Sequence, residues 1–155
     1  MGNVSFRFDQ SADTVYEWVR DPDVIKRRGT ALGEREIVVR QEGNAVLVER
    51  TVDAEVPSFA KKLFKPTNRV HETKDWDPAT RSAKLLVDIK GTPVSIEGTI
   101  RIVPDGDGCL YNVDYTVKCS IPLIGKKLAE YVDGLTAKGM RDEYEWSKRE
   151  LDARD

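Results

Sequence analysis

Apolar and polar residues alternate over positions 3–8, with Val4, Phe6 and Phe8 on one side, the period of a half-buried strand. Ser11 then stands as the N-cap of a helix over 12–19. Thr14 occupies the Glu/Gln position of a capping box, which is therefore incomplete, while Asp13 suits the positive helix start. Asp21-Pro22 restarts the chain, the aspartate as N-cap and the proline as first helical residue, for a second short helix running into residues 26–29. From there a period of two dominates. Segments 36–41 and 45–52 flank Glu42-Gly43-Asn44, a hairpin signal. Residues 58–64 form a short amphipathic piece ended by Lys65-Pro66. Residues 67–76 are extended, and 77–80 turn the chain back into a strand over 82–89. Gly91-Thr92-Pro93 makes the next turn. Residues 94–102 alternate, Asp105-Gly106-Asp107-Gly108 turns, and 110–119 alternate again. Residues 122–153 read as one long helix. It carries Gly134 and Gly139 near its middle, where each costs about 1 kcal/mol relative to alanine.

A sheet with one apolar face must cover that face, and the last helix is the only element long enough to do so. The pattern therefore predicts an α+β domain, a curved antiparallel sheet of about seven strands wrapped around a long C-terminal helix, with two short helices after the first strand. No repeat, low-complexity stretch or linker divides it, so residues 1–155 are expected to form a single domain.

Composition narrows the partners. Apolar residues make up 39% and charged residues 34%, as in globular domains, and 25 Lys and Arg nearly balance 27 Asp and Glu. A nucleic-acid binder would show a basic excess, so none is expected as partner. No run approaches the about 20 apolar residues of a membrane span. Nor does the N-terminal segment read as a secretory signal, and Phe6 stands where a myristoylation motif requires Ser or Thr. A cytoplasmic location is the expectation. Cys109 and Cys119 lie about 33 Å apart if extended in one strand, too far to bridge each other. With a single histidine there is no metal-ligand spacing, and neither a metal nor a cofactor is expected.

The element order resembles the START-like (SRPBCC, Bet v 1-like helix-grip) superfamily. The resemblance is carried by SADTVYEWVRDP after the first strand, the strand meander and the terminal helix. More narrowly, VPSFAKKLFKPTNRV, GTPVSIEGTIRI and VKCSIPLIGKKLAEYV are similar to an uncharacterised bacterial START-like family. The resemblance implies the helix-grip fold and a ligand-sized cavity between sheet and helix. Function does not follow from the fold, which hosts many activities.

Candidate lining residues come from parity. Leu85 and Val87 share one face of their strand, as do Ile96 and Ile100, with Gly98 between them withholding bulk. Tyr111, Val113 and Tyr115 share another, and Leu128, Val132, Leu135 and then Gly139 follow helical spacing opposite. The residues alone favour a tight core in which the glycines permit close helix–sheet contact, and it is the resemblance that turns the reading towards a cavity. Arg50 stands in register with inward Val46, Val48 and Val52, and Glu72 with Val70 and Trp76, a face that also carries Lys74. Buried charges must pair or reach water, so Arg50 and Glu72 either orient a ligand together or sit at an open sheet end in solvent. Arg50, Glu72, Trp76, Tyr111 and Tyr115 complete the candidate set.

Phe59, Lys62, Leu63 and Phe64 form a candidate portal flap for transient contact with an anionic membrane; the simpler reading docks a short helix on the sheet and leaves the lysines solvated. His71 falls on outer parity, and neither a Gly-x-Ser-x-Gly elbow nor a phosphate loop occurs. No acid–base pair stands out, so no catalytic residue is assigned. The expected function is binding or carrying a small hydrophobic or amphipathic ligand without catalysis. The alternatives are a START-like enzyme of cyclase or hydrolase type, or an interaction module with a closed core. Oligomeric state is not encoded in any pattern found.

Overall fold

The computed structural model describes residues 2–54, 56–62 and 64–154. Strand β1 (Gly2–Phe8) is followed by helices α1 (Ala12–Arg20) and α2 (Pro22–Ala31). Six strands come next: β2 (Arg35–Glu42), β3 (Ala45–Asp53), β4 (Thr67–Asp77), β5 (Ser82–Ile89), β6 (Val94–Asp105) and β7 (Gly108–Cys119). Helix α3 (Gly125–Arg154) closes the chain. The seven strands form one sheet in the order β1-β7-β6-β5-β4-β3-β2, with every neighbouring pair antiparallel.

Local chemistry sets these boundaries. The Ser11 side chain accepts from the Thr14 amide at 3.2 Å, and the Asp21 carboxylate accepts from the Asp23 amide at 2.9 Å, so both short helices start where their caps satisfy exposed donors. Gly43 supplies φ +60° in the two-residue turn between β2 and β3. The amphipathic piece after Pro57 is shorter than its pattern predicts. It makes a 3-10 turn over Ser58–Ala60, because two prolines bound a segment too short for a stable α-helix.

Alternation along the strands translates into one covered face. Val46 and Val48, Val70, Ala83, Leu85 and Val87, Val94, Ile96, Ile100 and Ile102, and Val113 are all buried, and all fall on the alternate positions of one face. The α3 helix meets this face at its two ends. Near its start Leu128 is fully buried, at 0% exposure, and Val132 is buried with it. Near its end Trp146 stacks on Trp18 at 6.0 Å, Ser147 accepts from the Trp18 indole at 3.1 Å, and Leu151 is buried. One turn earlier the Tyr144 ring lies on Phe6 at 4.6 Å, and its hydroxyl donates to the Arg7 carbonyl. Between Val132 and Trp146, however, no residue of α3 is fully buried. The part of that span up to Tyr144, about 18 Å of helix at 1.5 Å per residue, bridges the sheet with only half-buried or exposed side chains.

Gly134 lies in this span with open space where a Cβ would go. Gly134→Ala is therefore expected to raise stability by up to about 1 kcal/mol, read as a higher urea midpoint at unchanged slope. A loss instead would mean that the helix bends there around a contact only glycine allows.

Candidate functional site

Under the bridging span of α3 lies a cavity of about 570 Å³. Its floor is the apolar face of the sheet: Leu85, Val87 and Ile89 of β5, Ile96 and Ile100 of β6, Val113 of β7 and Val70 of β4. Phe6, Phe8 and Tyr144 close one end. The mouth can be located from exposure. Leu32, Gly33, Asp53, Leu135, Lys138 and Gly139 all line the cavity, yet each is exposed to solvent. The opening therefore lies between the α2–β2 loop, the end of β3 and the middle of α3.

Charged side chains form a strip along one wall. Glu34, at the α2–β2 loop, lies 3.5 Å from Arg50 Nε on β3. Arg50 Nη1 lies 3.4 Å from Glu72 Oε1 on β4, and Glu72 Oε2 lies 3.6 Å from Lys74 Nζ. Across the space, Arg28 at the end of α2 meets Glu143 on α3 at 3.1 Å. All six line the cavity. The backbone makes the strip unavoidable: positions 70, 72, 74 and 76 of β4 face inward by the two-residue period, and two of them are charged.

Burial and pairing set the ionisation. Burial drives the Glu72 carboxyl upward, but Lys74, Arg50 and Arg28 outweigh it and hold it at about 2. Burial opposes the charge on Arg50 and Lys74, and the neighbouring carboxylates outweigh it, so both stay cationic. Lys74 is consequently an ammonium, a donor and not a free-amine nucleophile. The Glu34 carboxyl is raised, burial prevailing over the attraction of Arg50. Burial likewise raises the Tyr111 hydroxyl, with Lys74 pulling against it. Among the described residues no group of three or more His, Cys, Asp or Glu is placed to hold a metal ion.

Of the residues singled out by parity, Arg50, Glu72, Leu85, Val87, Ile96 and Ile100 line the cavity, as do Tyr111, Val113, Val132, Leu135 and Gly139. Four do not. Trp76 is buried beneath α1, edge-on to Tyr16 at 5.5 Å. The Tyr115 ring lies over Gly2, where a Cβ would overlap it, and burial raises its hydroxyl beside Asp133. Leu128 fills the core at the start of α3. At Gly98 bulk is withheld for a different reason. A Cβ there would collide with the Asp114 carbonyl oxygen and stand 3.0 Å from Tyr115 Cα, so glycine permits close approach of β6 and β7 and leaves no void.

The flap residues are dispersed. Phe59 is half-buried, edge-on to Tyr131 at 6.2 Å with Lys127 over its ring, and Phe64 is buried in the core. Lys62 is exposed, and Leu63 lies outside the described residues. Sequence reasoning passed over Arg28, Glu34 and Glu143 because they come from α2, a loop and α3, whose meeting is tertiary. Lys74 was on the inward face of β4, and that parity was the available signal. Among the described residues no helix is long and apolar enough to cross a membrane.

A curved antiparallel sheet gripping a long helix around an internal cavity defines the helix-grip fold, and solved structures share it. TTHA0849 from Thermus thermophilus superposes with a TM-score of 0.73 at 17% identity, over 99% of this chain and 97% of that one. The Zhui aromatase/cyclase from Streptomyces sp. R1128 gives 0.69 at 15% identity, over 99% and 93%. Norcoclaurine synthase from Thalictrum flavum gives 0.69 at 19% identity, over 99% and 95%. The family model described as protein of unknown function (DUF2505) matches residues 3–149, and the chain belongs to that family. No curated protein matches it in sequence.

Proposed function

We propose that the protein binds or carries a small hydrophobic or amphipathic molecule, of lipid-, isoprenoid- or polyketide-like size, in the cavity beneath α3. The observation that carries this reading is the cavity itself. Its volume of about 570 Å³ falls in the about 300–1,000 Å³ range of small-molecule sites, and it combines an apolar floor with a few convergent polar groups. A closed-core interaction module would have no use for such a space. Affinity would come from apolar burial, at about 25 cal/mol per Å², and orientation from the charged strip and Tyr111. The test is native mass spectrometry of protein purified from its own host, followed by extraction of what co-purifies. A bound apolar small molecule is expected. Protein that arrives empty, and that no lipid, fatty acid or polycyclic aromatic compound stabilises, overturns the proposal.

A second reading has one observation in its favour. Burial leaves the Glu34 carboxyl raised at the end of a strip that also holds Lys74 and Tyr111, a set able to donate and accept protons. The names of two structural neighbours, an aromatase/cyclase and a synthase, are consistent with an enzyme of cyclase type. Chemical change in an extracted ligand on incubation with fresh protein would favour it.

Gly139 is where access can be tested. A Cβ at this mouth position meets nothing within 4 Å, so Gly139→Leu places bulk in the opening while strengthening the helix. The expected result is an equal or higher thermal midpoint together with about tenfold weaker ligand binding. Unchanged binding would move the entry route elsewhere.

A further inference from the structure

We infer that the molecule held beneath α3 is uncharged, an apolar skeleton bearing hydroxyl or carbonyl groups, and that the cavity discriminates against the carboxylate and the amine of the same skeleton. This rests on the reading of the cavity as a ligand site. The basis is the charge balance of the wall. Its inner part carries three cations, Arg28, Arg50 and Lys74, and three carboxylates, Glu34, Glu72 and Glu143. Each cation has a carboxylate within 3.6 Å. Even the mouth is balanced: Lys138 is held by Asp142 at 2.8 Å, and Asp53 by Arg35 at 2.6 Å.

A charged ligand entering this space gives up its hydration and finds no vacant counter-charge. It can gain a partner only by displacing one, which strands the displaced group as a buried, uncompensated ion. An uncharged polar group escapes this difficulty. Its desolvation costs far less than an ion's, and one or two hydrogen bonds offset it. Such bonds are on offer. Arg50 Nε is buried without a hydrogen-bond partner, Glu34 lying near it but outside bonding geometry, so the guanidinium has a donor to spare, which a small turn of the group brings to a carbonyl or hydroxyl oxygen in the cavity. The strip's carboxylates have lone pairs to accept a hydroxyl proton, since each ion contact uses only part of their capacity.

The experiment uses one skeleton with three heads: 1-dodecanol, dodecanoate and dodecylammonium, each below its micelle concentration at pH 7. Each displaces the neutral fluorophore N-phenyl-1-naphthylamine from the full chain. The alcohol is expected to compete at least about tenfold more strongly than either ion. In Glu34→Gln the wall has one surplus cation, and the carboxylate-to-alcohol affinity ratio is expected to rise at least about tenfold. Glu143→Gln makes the same change on the other ion pair, and serves if the first variant does not fold. Wild-type protein that binds the carboxylate or the ammonium as well as the alcohol overturns the inference and leaves ligand binding standing. So does an unchanged ratio in a folded variant. If neither the fluorophore nor any head binds, the ligand-site reading fails and the inference falls with it.

Discussion

Glu72→Leu is expected to destabilise the protein by about 3–5 kcal/mol, because it removes the carboxylate shared by two buried cations. The Glu72 side chain is only 9% exposed and sits between Arg50 of β3 and Lys74 of its own strand, themselves 15% and 11% exposed, so its loss leaves two cations with little water around them. The loss belongs to the stranded charges more than to the bonds. The combined change Glu34→Gln, Arg50→Met, Glu72→Leu, Lys74→Met is accordingly expected to recover most of it, since Glu34 would otherwise lose its own partner Arg50, and the neutral side chains leave no buried ion to desolvate. Urea unfolding of both variants at pH 7 separates the two statements. A single variant costing under about 1 kcal/mol would show that water already reaches the strip. The same residue shapes the response to acid. Its carboxyl is held at about 2 against an ordinary value of 4.5, so it stabilises the fold fully above the ordinary value. That stabilisation drains as pH falls from 4.5 towards 2. In Glu72→Leu the acid limb of the stability curve should be flatter over that window.

Gly98→Ala should cost about 3 kcal/mol or more, at the top of the usual range for overpacking, although it adds a single methyl. In β6 Gly98 stands opposite Tyr115 on one side and Leu85 on the other. The new carbon would meet backbone, the Asp114 carbonyl oxygen and Tyr115 Cα, which no rotamer change can clear. Relief requires β6 and β7 to move apart at the centre of the sheet, with loss of ladder hydrogen bonds. Thermal unfolding of Gly98→Ala beside Gly134→Ala gives the contrast, one falling steeply and the other rising. A mild effect at Gly98 would instead place open volume there, as its inward parity had suggested.

These two residues show how far the pattern of the chain could be read. Alternation gave the inward face of every strand from β3 to β7, including the unwelcome Arg50 and Glu72, because side-chain direction in a strand is set by backbone geometry. Parity says which way a residue points and nothing about what stands opposite. Trp76 and Ile100 share the inner face, yet one lies under α1 and the other under the cavity. Helical spacing similarly grouped Leu128 with Leu135, although the first is wholly buried and the second, at 43% exposure, stands at the mouth. The lift of α3 between them depends on where its two ends dock. Docking rests on Tyr144, Trp146 and Trp18, contacts made across most of the chain's length. The charged strip was half legible for the same reason. Its strand members follow a period, whereas Arg28, Glu34 and Glu143 converge only once α2 and α3 are in place.

The two-ended docking of α3 separates two demands that a single helix usually has to meet with the same residues. The buried turns around Leu128 and Leu151 specify the architecture and tolerate little change. In the span 134–139 the exposed positions Gly134, Leu135, Lys138 and Gly139 place no side chain in the packed core, so their replacement leaves it untouched. Diversification can therefore concentrate in that span, and a chain of this design can acquire a new selectivity at its mouth without first finding a compensating mutation in its interior.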